Sequence, residues 1–304
     1  MLQYLIILLD DTSVSYCHYK NKKTERKLIS IPDLEAGILW AMKQNWMIQF
    51  VYPKYDLPEE YLTMIETIDH NKIMPYSGTI EKTDVIVSDG WNNLPSKTDI
   101  PIILRTGKSK FFSNYKELIP LLKEIKRVNI VITDVETFKE TDFTTYKGVL
   151  SELKNAIEEQ YLKGIFPQLN ILSDRIMLDK MNNCNAGAEN ITLAPNGKFY
   201  ICPAFYLEDE TDSVGDLITG LNIKNKQLYK LEFAPLCRNC DAYQCKRCVW
   251  LNRKTTLEVN TPSHEQCVVA HLERNTSREL LIHFPNKEIK EIDYLDPFDV
   301  KEEF

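Results

Sequence analysis

The chain has 304 residues, a net charge of −7 and 43% hydrophobic residues, which suffices for one large α/β domain and a smaller second one. The acidic balance disfavours the phosphate backbone of nucleic acids as a partner. No apolar run reaches the length of a membrane span, and the short apolar N-terminus lacks the basic leader of a signal peptide. We therefore expect a cytoplasmic protein with no nucleic-acid or membrane partner.

Residues 1–175 alternate short apolar runs with helical patterns. Continuous apolar runs are typical of strands buried on both faces of a parallel sheet, and here they predict strands at Tyr4–Leu9, Met47–Val51, Asp84–Val87, Ile100–Leu104, Asn129–Thr133 and Leu169–Leu172. The intervening patterns predict helices at Pro32–Lys43, Pro58–Ile68, Asn114–Ile125 and Thr144–Lys163. Repeated β-crossover-β units of this kind predict an α/β fold with a partial or complete (β/α) barrel.

The pattern changes after Arg175. Pro195-Asn196-Gly197 stands between two short apolar runs and predicts a hairpin. Residues 237–248 contain too many cysteines for regular structure, and a helical period returns from Ser263 to Phe284. We therefore predict a barrel over residues 1–175, a small cysteine-rich domain with a closing helix over 176–284, and an acidic tail over 285–304.

Seven of the eight cysteines lie between residues 184 and 267. In a reducing compartment, clustered thiols favour metal over disulfides, and thiolates suit zinc, copper(I) and iron–sulfur clusters. The two Cys-x2-Cys pairs are only four residues apart, which is tight for two zinc knuckles but suits cubane clusters held by four thiolates each. One set would be Cys237, Cys240, Cys245 and Cys267. Cys184, Cys202 and Cys248 would give a second set, whose fourth position is open or filled by another group or a substrate. A structural zinc module, or no metal at all, is the alternative.

The order C-x12-G-x4-C, then C-x2-C-x4-C-x2-C, then a final cysteine resembles the SPASM domain of radical-SAM peptide maturases. That family's pattern has one more residue in each of the last two spacings. The resemblance implies two auxiliary 4Fe-4S clusters, the first on Cys184, Cys202 and Cys248. The second would be held by Cys237, Cys240, Cys245 and Cys267. The resemblance also implies a partial barrel upstream.

The usual companion of that domain is missing near the N-terminus. Radical-SAM enzymes place C-x3-C-x2-C after the first strand, and the matching positions here are Asp10, Val14 and Cys17. The segment Phe50–Pro58 also lacks the family's Gly-Gly-Glu. We therefore expect no ordinary cleavage of S-adenosylmethionine. Asp10 and Asp11, where the lost cluster would sit, and Cys17 are the candidate catalytic residues, with Cys17 as a free semi-buried cysteine the alternative.

A SPASM-bearing chain with an emptied radical-SAM site resembles the CXXX repeat peptide maturase family. That resemblance implies maturation of a ribosomally made peptide with repeated Cys-x-x-x units, and so a precursor peptide as partner. The alternatives are a non-catalytic protein that binds the precursor for another modification enzyme, and a zinc-stabilised α/β protein.

His18 and His264 lie near cysteines in sequence and could fill an open coordination site. Polar residues at predicted strand ends could grip a ligand, or simply cap turns: Asp10, Asp11, Tyr52, Asp89, Arg105, Asp134, Glu136 and Asp174.

Overall fold

A computed structural model describes residues 2–78 and 82–281 of the chain. The chain divides into two compact units, each built from separate stretches of sequence. The first unit comprises Met1–Ser88, Cys184–Arg238 and Cys248–Thr261, and the second comprises Asp89–Asn183, Asn239–Arg247 and Pro262–Phe304.

The first unit contains a mainly parallel sheet with β1 (Tyr4–Leu8) in the middle. On one side lie the parallel strands β2 (Met47–Val51), β3 (Asn71–Pro75) and β4 (Val85–Asp89). On the other side β8 (Asn190–Leu193) runs parallel to β1, and β9 (Phe199–Tyr200) forms an antiparallel hairpin with β8. The last four residues of β1 are all buried, as expected for a strand covered on both faces.

Four helices and a second small hairpin complete the first unit: α1 (Ile31–Lys43), α2 (Glu59–Ile65), α7 (Pro203–Glu208), α8 (Val249–Thr256), β10 (Gly215–Asp216) and β11 (Gly220–Leu221). Ser30 caps α1, because its hydroxyl oxygen accepts a hydrogen bond from the Asp33 backbone N–H at 3.2 Å. Within α1, Gly37 lies against the side chain of Leu193, where an added Cβ would come within 2.4 Å. A small residue is therefore needed for the close packing of α1 on β8.

The second unit contains three parallel strands in the order β7-β6-β5 and five helices. The strands are β5 (Ile102–Thr106), β6 (Arg127–Ile132) and β7 (Gln168–Leu169). The helices are α3 (Lys108–Asn114), α4 (Leu118–Leu121), α5 (Glu140–Tyr161), α6 (Asp174–Met177) and α9 (His264–Leu281). Helices α5 and α9 pack against each other, and the Tyr146 hydroxyl on α5 donates a hydrogen bond to Glu273 on α9 at 2.7 Å.

The predicted α/β fold of mostly parallel strands is confirmed, with local differences. The predicted strand Leu169–Leu172 is shorter, because the Asn170 side chain replaces the ladder by exchanging two hydrogen bonds with the Ile130 backbone at 2.7 and 2.9 Å. The predicted helix Asn114–Ile125 is interrupted, since Pro120 has no N–H to continue the helical bonding. Strand β3 was not predicted, because its sequence mixes polar and apolar residues.

The compact units do not follow the predicted division after residue 175. Strand β8 belongs to the sheet of the first unit, because it pairs with β1 along four residues. Helix α9 belongs to the second unit, because it packs on α5 and α6. The functional division into a barrel and a cysteine-rich domain stays a prediction. The predicted end of the closing helix at Phe284 and the predicted tail at 285–304 lie outside the described residues. Within the described ranges, no helix is long and apolar enough to cross a membrane.

Candidate functional site

The turn that follows β1 is held closed by its own residues. Asp10 is fully buried, and its Oδ1 accepts hydrogen bonds from the backbone N–H and the hydroxyl of Thr12. The Ser13 hydroxyl accepts from the Asp10 N–H at 3.1 Å and donates to the Val51 carbonyl at 2.9 Å. Asp10 also forms an antiparallel bridge with Leu28, so the chain returns along the end of β1. Polar contacts within the protein therefore engage one carboxylate oxygen of Asp10, while the other, Oδ2, is buried and has no hydrogen-bond partner among the described residues.

The amide side chain of Asn21 fixes the loop that follows this turn. Its Nδ2 donates to the carbonyl of Asp11 at 2.7 Å and to that of Ser13 at 3.0 Å. Its Oδ1 accepts from the Lys23 backbone N–H at 2.9 Å, and its own backbone N–H donates to the Ser15 hydroxyl at 2.8 Å. One side chain therefore holds the loop from 11 to 23 in a single arrangement.

A charged cluster of Asp11, Lys23, Tyr206 and Glu210 connects the same loop to α7. The Tyr206 hydroxyl donates to Asp11 Oδ1, and Lys23 Nζ lies 3.2 Å from Asp11 Oδ2. Lys23 also forms an ion pair with Glu210 and lies 4.0 Å from the centre of the Tyr206 ring. Burial first, and then the Asp11 hydrogen bond, raise the pKa of Tyr206, so its phenol stays a neutral donor. The hydrogen bond from Lys23 lowers the pKa of Glu210.

The residues at the positions of the radical-SAM cysteines do not fit a cubane cluster. Asp10 is occupied as described, and Val14 is buried with its N–H donating to the Tyr52 carbonyl at 2.9 Å. Only Cys17, which is half-buried, offers a thiolate among the three positions. A cubane cluster is held by several thiolates. These three residues therefore do not provide the ligands for one.

Cys184, Cys202 and Cys248 all belong to the first unit, and the charges of the other two act on the Cys202 thiol. Burial raises the pKa of the Cys202 thiol, and the neighbouring charges of Cys248 and then Cys184 raise it further. Backbone N–H groups of Ala204 and Phe205, at the start of α7, act in the opposite direction. Neighbouring thiolates repel one another, and a bound metal relieves that repulsion because it replaces the protons. The first predicted cysteine set therefore fits a metal centre chemically.

The Tyr16 phenol is affected both by the candidate Cys17 and by two cysteines of the first set. Burial raises the pKa of the Tyr16 phenol, followed by the charges of Tyr19, Cys17, Cys202 and Cys184. The rings of Tyr16 and Tyr19 meet edge to face with their centroids 5.9 Å apart. The loop after β1 thus borders the first cysteine set.

Three of the four cysteines in the second predicted set belong to the second unit: Cys240, Cys245 and Cys267. Cys237 is buried and belongs to the first unit. The backbone N–H of Ala242 donates to Cys240 Sγ at 3.4 Å, and the N–H of Cys245 donates to the Ala242 carbonyl at 2.9 Å. Cys267 lies in the first turn of α9.

His271 is a site residue that the sequence analysis missed. Its Nε2 lies 3.6 Å from Cys240 Sγ, and the side chain is buried on α9. Burial, and then the charge of Arg274, lower the pKa of His271 to about 4, so the imidazole is neutral at pH 7. The signal available in the sequence was its position four residues after Cys267, on the same face of a helix.

Asp241, next to Cys240, receives three guanidinium groups. Arg274 Nη1 lies 2.6 Å from Asp241 Oδ1, Arg278 contacts Oδ2, and Arg175 lies 3.9 Å away. Burial raises the pKa of the Cys240 thiol, and the Asp241 charge raises it as well, while the Ala242 N–H and the charges of Arg274 and Arg175 act in the opposite direction. Charges of both signs therefore lie near the Cys240 sulfur.

Arg105, Asp134, Asp174 and His264 have partners within the second unit. Arg105 pairs with Asp89 at 2.7 Å, and the Asp134 carboxylate accepts from the Lys108 backbone N–H at the start of α3 at 2.8 Å. Asp174 pairs with Arg127 and Glu136 is half-buried. His264 Nδ1 lies 3.8 Å from Glu265, and His18 is half-buried. Among the described residues, no three or more His, Cys, Asp and Glu side chains are arranged so that they could hold a metal ion. The assignment of the two cysteine sets to metal centres therefore depends on the affinity of thiolates for zinc and iron.

Several proteins of known structure have a similar fold. The fold of this chain is similar to that of anSMEcpe with bound AdoMet, at 13% sequence identity and a TM-score of 0.66, over 95% of this chain and 96% of that one. The fold is also similar to that of anSMEcpe with bound AdoMet and the Cp18Cys peptide, at 14% identity and a TM-score of 0.66. It is similar as well to that of anSMEcpe with bound AdoMet and the Kp18Cys peptide, at 11% identity and a TM-score of 0.64. Each of these two likenesses covers 93% of this chain and 99% of the other. No protein-family model and no curated protein sequence matches the chain. At these identities the likeness shows the fold, and it agrees with the predicted resemblance to SPASM-type peptide maturases.

Proposed function

We propose that this protein takes part in maturing a ribosomally made, cysteine-rich repeat peptide in the cytoplasm, without cleaving S-adenosylmethionine. The observation that supports this most is the contrast between two places in the first unit. After β1, Asp10, Val14 and Cys17 are held by contacts within the protein and supply one thiol. Further along the chain, the buried Cys202 thiol is subject to the charges of two other cysteines, Cys248 and Cys184.

Peptide binding is supported by the fold. The similar protein anSMEcpe was solved with Cp18Cys and Kp18Cys peptides bound, and the likeness spans nearly the whole of both chains. A barrel of parallel strands presents its loops at the carboxyl ends of the strands, where such sites usually form. The loop after β1 is one of these, and it places Asp11 and Lys23 beside α7.

The metal centres of the proposal are iron–sulfur clusters bound by the cysteine sets. The second set stays as the sequence predicts it, namely Cys237, Cys240, Cys245 and Cys267. When bound, such clusters supply electron transfer or an exposed iron. In the first set, Cys184, Cys202 and Cys248 provide three thiolates and leave one position of a four-thiolate centre. We propose that a cysteine of the precursor peptide takes this fourth position, so that the three thiols hold and orient the substrate.

A second candidate function is a non-catalytic partner that binds the precursor and presents it to a modification enzyme. The turn after β1 favours it, because Asp10 and Val14 stand at two of the three positions where radical-SAM enzymes have cysteines, and only Cys17 offers a thiol there. The mass of the precursor separates the two candidate functions. A mass change caused by the purified protein alone shows that the protein is a catalyst. A mass change that requires a partner enzyme shows that the protein presents the precursor.

The test of the proposal uses the protein reconstituted anaerobically with iron and sulfide. We expect a Cys-x-x-x repeat peptide to bind more tightly than its serine-substituted counterpart, because serine is a poor ligand for iron–sulfur clusters. We also expect no 5′-deoxyadenosine when S-adenosylmethionine and a reductant are added. Equal affinity for the two peptides contradicts the docking of a substrate thiolate. Release of 5′-deoxyadenosine contradicts the loss of radical chemistry.

A further inference from the structure

We propose that His271 is a positioning residue of the second metal centre, where its Nε2–H donates a hydrogen bond to the Cys240 sulfur and adjusts the reduction potential of the centre. The proposal rests on the proposed function, since it takes Cys240 as a metal-bound thiolate. It assigns a role to a residue outside the cysteine pattern.

The geometry of α9 brings His271 to Cys240. Cys267 and His271 are four residues apart on this helix, so both side chains emerge on the same face. The facing segment is fixed to the helix by Gln244, whose Nε2 donates to the Ala270 carbonyl at 2.6 Å. Across this contact, His271 Nε2 lies 3.6 Å from Cys240 Sγ, a reach suited to an N–H···S hydrogen bond, since sulfur is larger than oxygen. All of these residues belong to the second unit.

The second ring nitrogen decides which nitrogen carries the proton. His271 Nδ1 is buried and has no hydrogen-bond partner among the described residues. A buried N–H donor without an acceptor is costly, and the neutral ring has a single N–H. The proton is therefore best placed on Nε2, where the Cys240 sulfur accepts its hydrogen bond.

The Cys240 sulfur faces more than one hydrogen-bond donor. Besides His271 Nε2, the Ala242 backbone N–H lies 3.4 Å from the same sulfur. Hydrogen bonds to cluster sulfurs favour the more negative, reduced state and so raise the reduction potential. His271 is the side chain in direct contact with the Cys240 sulfur, so it is the one to substitute.

The experiment is a redox titration of the reconstituted protein followed by electron paramagnetic resonance. His271→Leu removes the donor, and His271→Gln retains an N–H at a similar reach. The matched control is His70→Leu, a histidine outside both cysteine sets whose Nδ1 lies 2.8 Å from the Ile68 carbonyl. A charge-assisted hydrogen bond that strengthens on reduction changes the reduction equilibrium by roughly tenfold, which is about 59 mV for one electron.

We expect His271→Leu to shift one cluster to a more negative potential by this amount. His271→Gln should shift it less, and His70→Leu should leave both potentials unchanged. If His271→Leu does not fold, His271→Gln is compared with His271→Asn, whose shorter side chain withdraws the N–H from Cys240. Unchanged potentials in a protein that contains iron and sulfide overturn the role of His271 but leave the proposed function intact. A parent protein without iron and sulfide overturns both.

Discussion

Replacing the buried Glu273 by glutamine should stabilise the protein at neutral and higher pH. Glu273 lies on α9, where burial raises its pKa to about 7 despite the hydrogen bond from Tyr146. An unfolded glutamate has a pKa near 4.5. Between these two values the folded state binds more protons than the unfolded state, so this group's contribution to stability falls as pH rises.

The magnitude follows from the difference between the two pKa values. A raise from 4.5 to about 7, at roughly 1.4 kcal/mol for each pH unit, destabilises the folded state by about 3 kcal/mol above pH 7. Glutamine has nearly the same shape and keeps an acceptor for the Tyr146 hydroxyl, but it has no charge to bury. Glu273→Gln should therefore exceed the parent in free energy of unfolding by about 3 kcal/mol at pH 8 and match it near pH 4.5.

Urea unfolding from pH 4.5 to pH 8 measures this difference. The control is Glu279→Gln on the same helix, since Glu279 is largely exposed and pairs with Lys154 at 2.7 Å. That variant should differ from the parent by less than about 1 kcal/mol at every pH. The lowered pKa of His271 makes the protein less stable as pH falls, which is the opposite pH dependence to that of Glu273. Because His271 and the other titrating groups are the same in variant and parent, their contributions cancel when the two proteins are compared at one pH. A difference for Glu273→Gln that is constant over the range, or that shrinks toward pH 8, refutes the reasoning.

Three further substitutions test the first unit. Tyr206→Phe removes the hydroxyl that donates to Asp11 and should lower the free energy of unfolding by about 1–3 kcal/mol in urea; an unchanged midpoint contradicts the contact. Asn21→Ala removes the side chain that holds the loop after β1 and should speed proteolysis within residues 11–23, as mass spectrometry of a limited digest would show; an unaltered cleavage pattern would exclude this role. Cys248→Ala should weaken precursor binding in calorimetry about tenfold while the urea midpoint moves little; equal binding by variant and parent rules out docking through this set.

Local sequence patterns were enough for most of the fold. Strand β1 is a continuous apolar run whose last four residues are buried, and the hairpin of β8 and β9 has its turn at Pro195-Asn196-Gly197 as predicted. Such features are readable because neighbouring residues determine them. Strand β3 escaped prediction, since its pairing with β2 outweighs a mixed local sequence.

Long-range contacts in the candidate site could not be read from the sequence. The hydroxyl of Tyr206 reaches Asp11 across 195 positions, and no local pattern encodes that pairing. The composition of the first unit from separate stretches of sequence has the same origin, because β8 pairs with β1, which lies far away in the chain. His271 was within reach of the sequence, because its spacing from Cys267 on a predicted helix places the two side chains on one face.

The most direct test of the central claim is the content of iron, sulfide and zinc per chain after anaerobic purification and reconstitution. Two 4Fe-4S clusters and no third cluster after β1 predict about eight irons and about eight sulfides in each chain. About twelve irons would show a third cluster and contradict the loss of radical chemistry. Zinc without sulfide would contradict the iron–sulfur assignment and leave a structural zinc module.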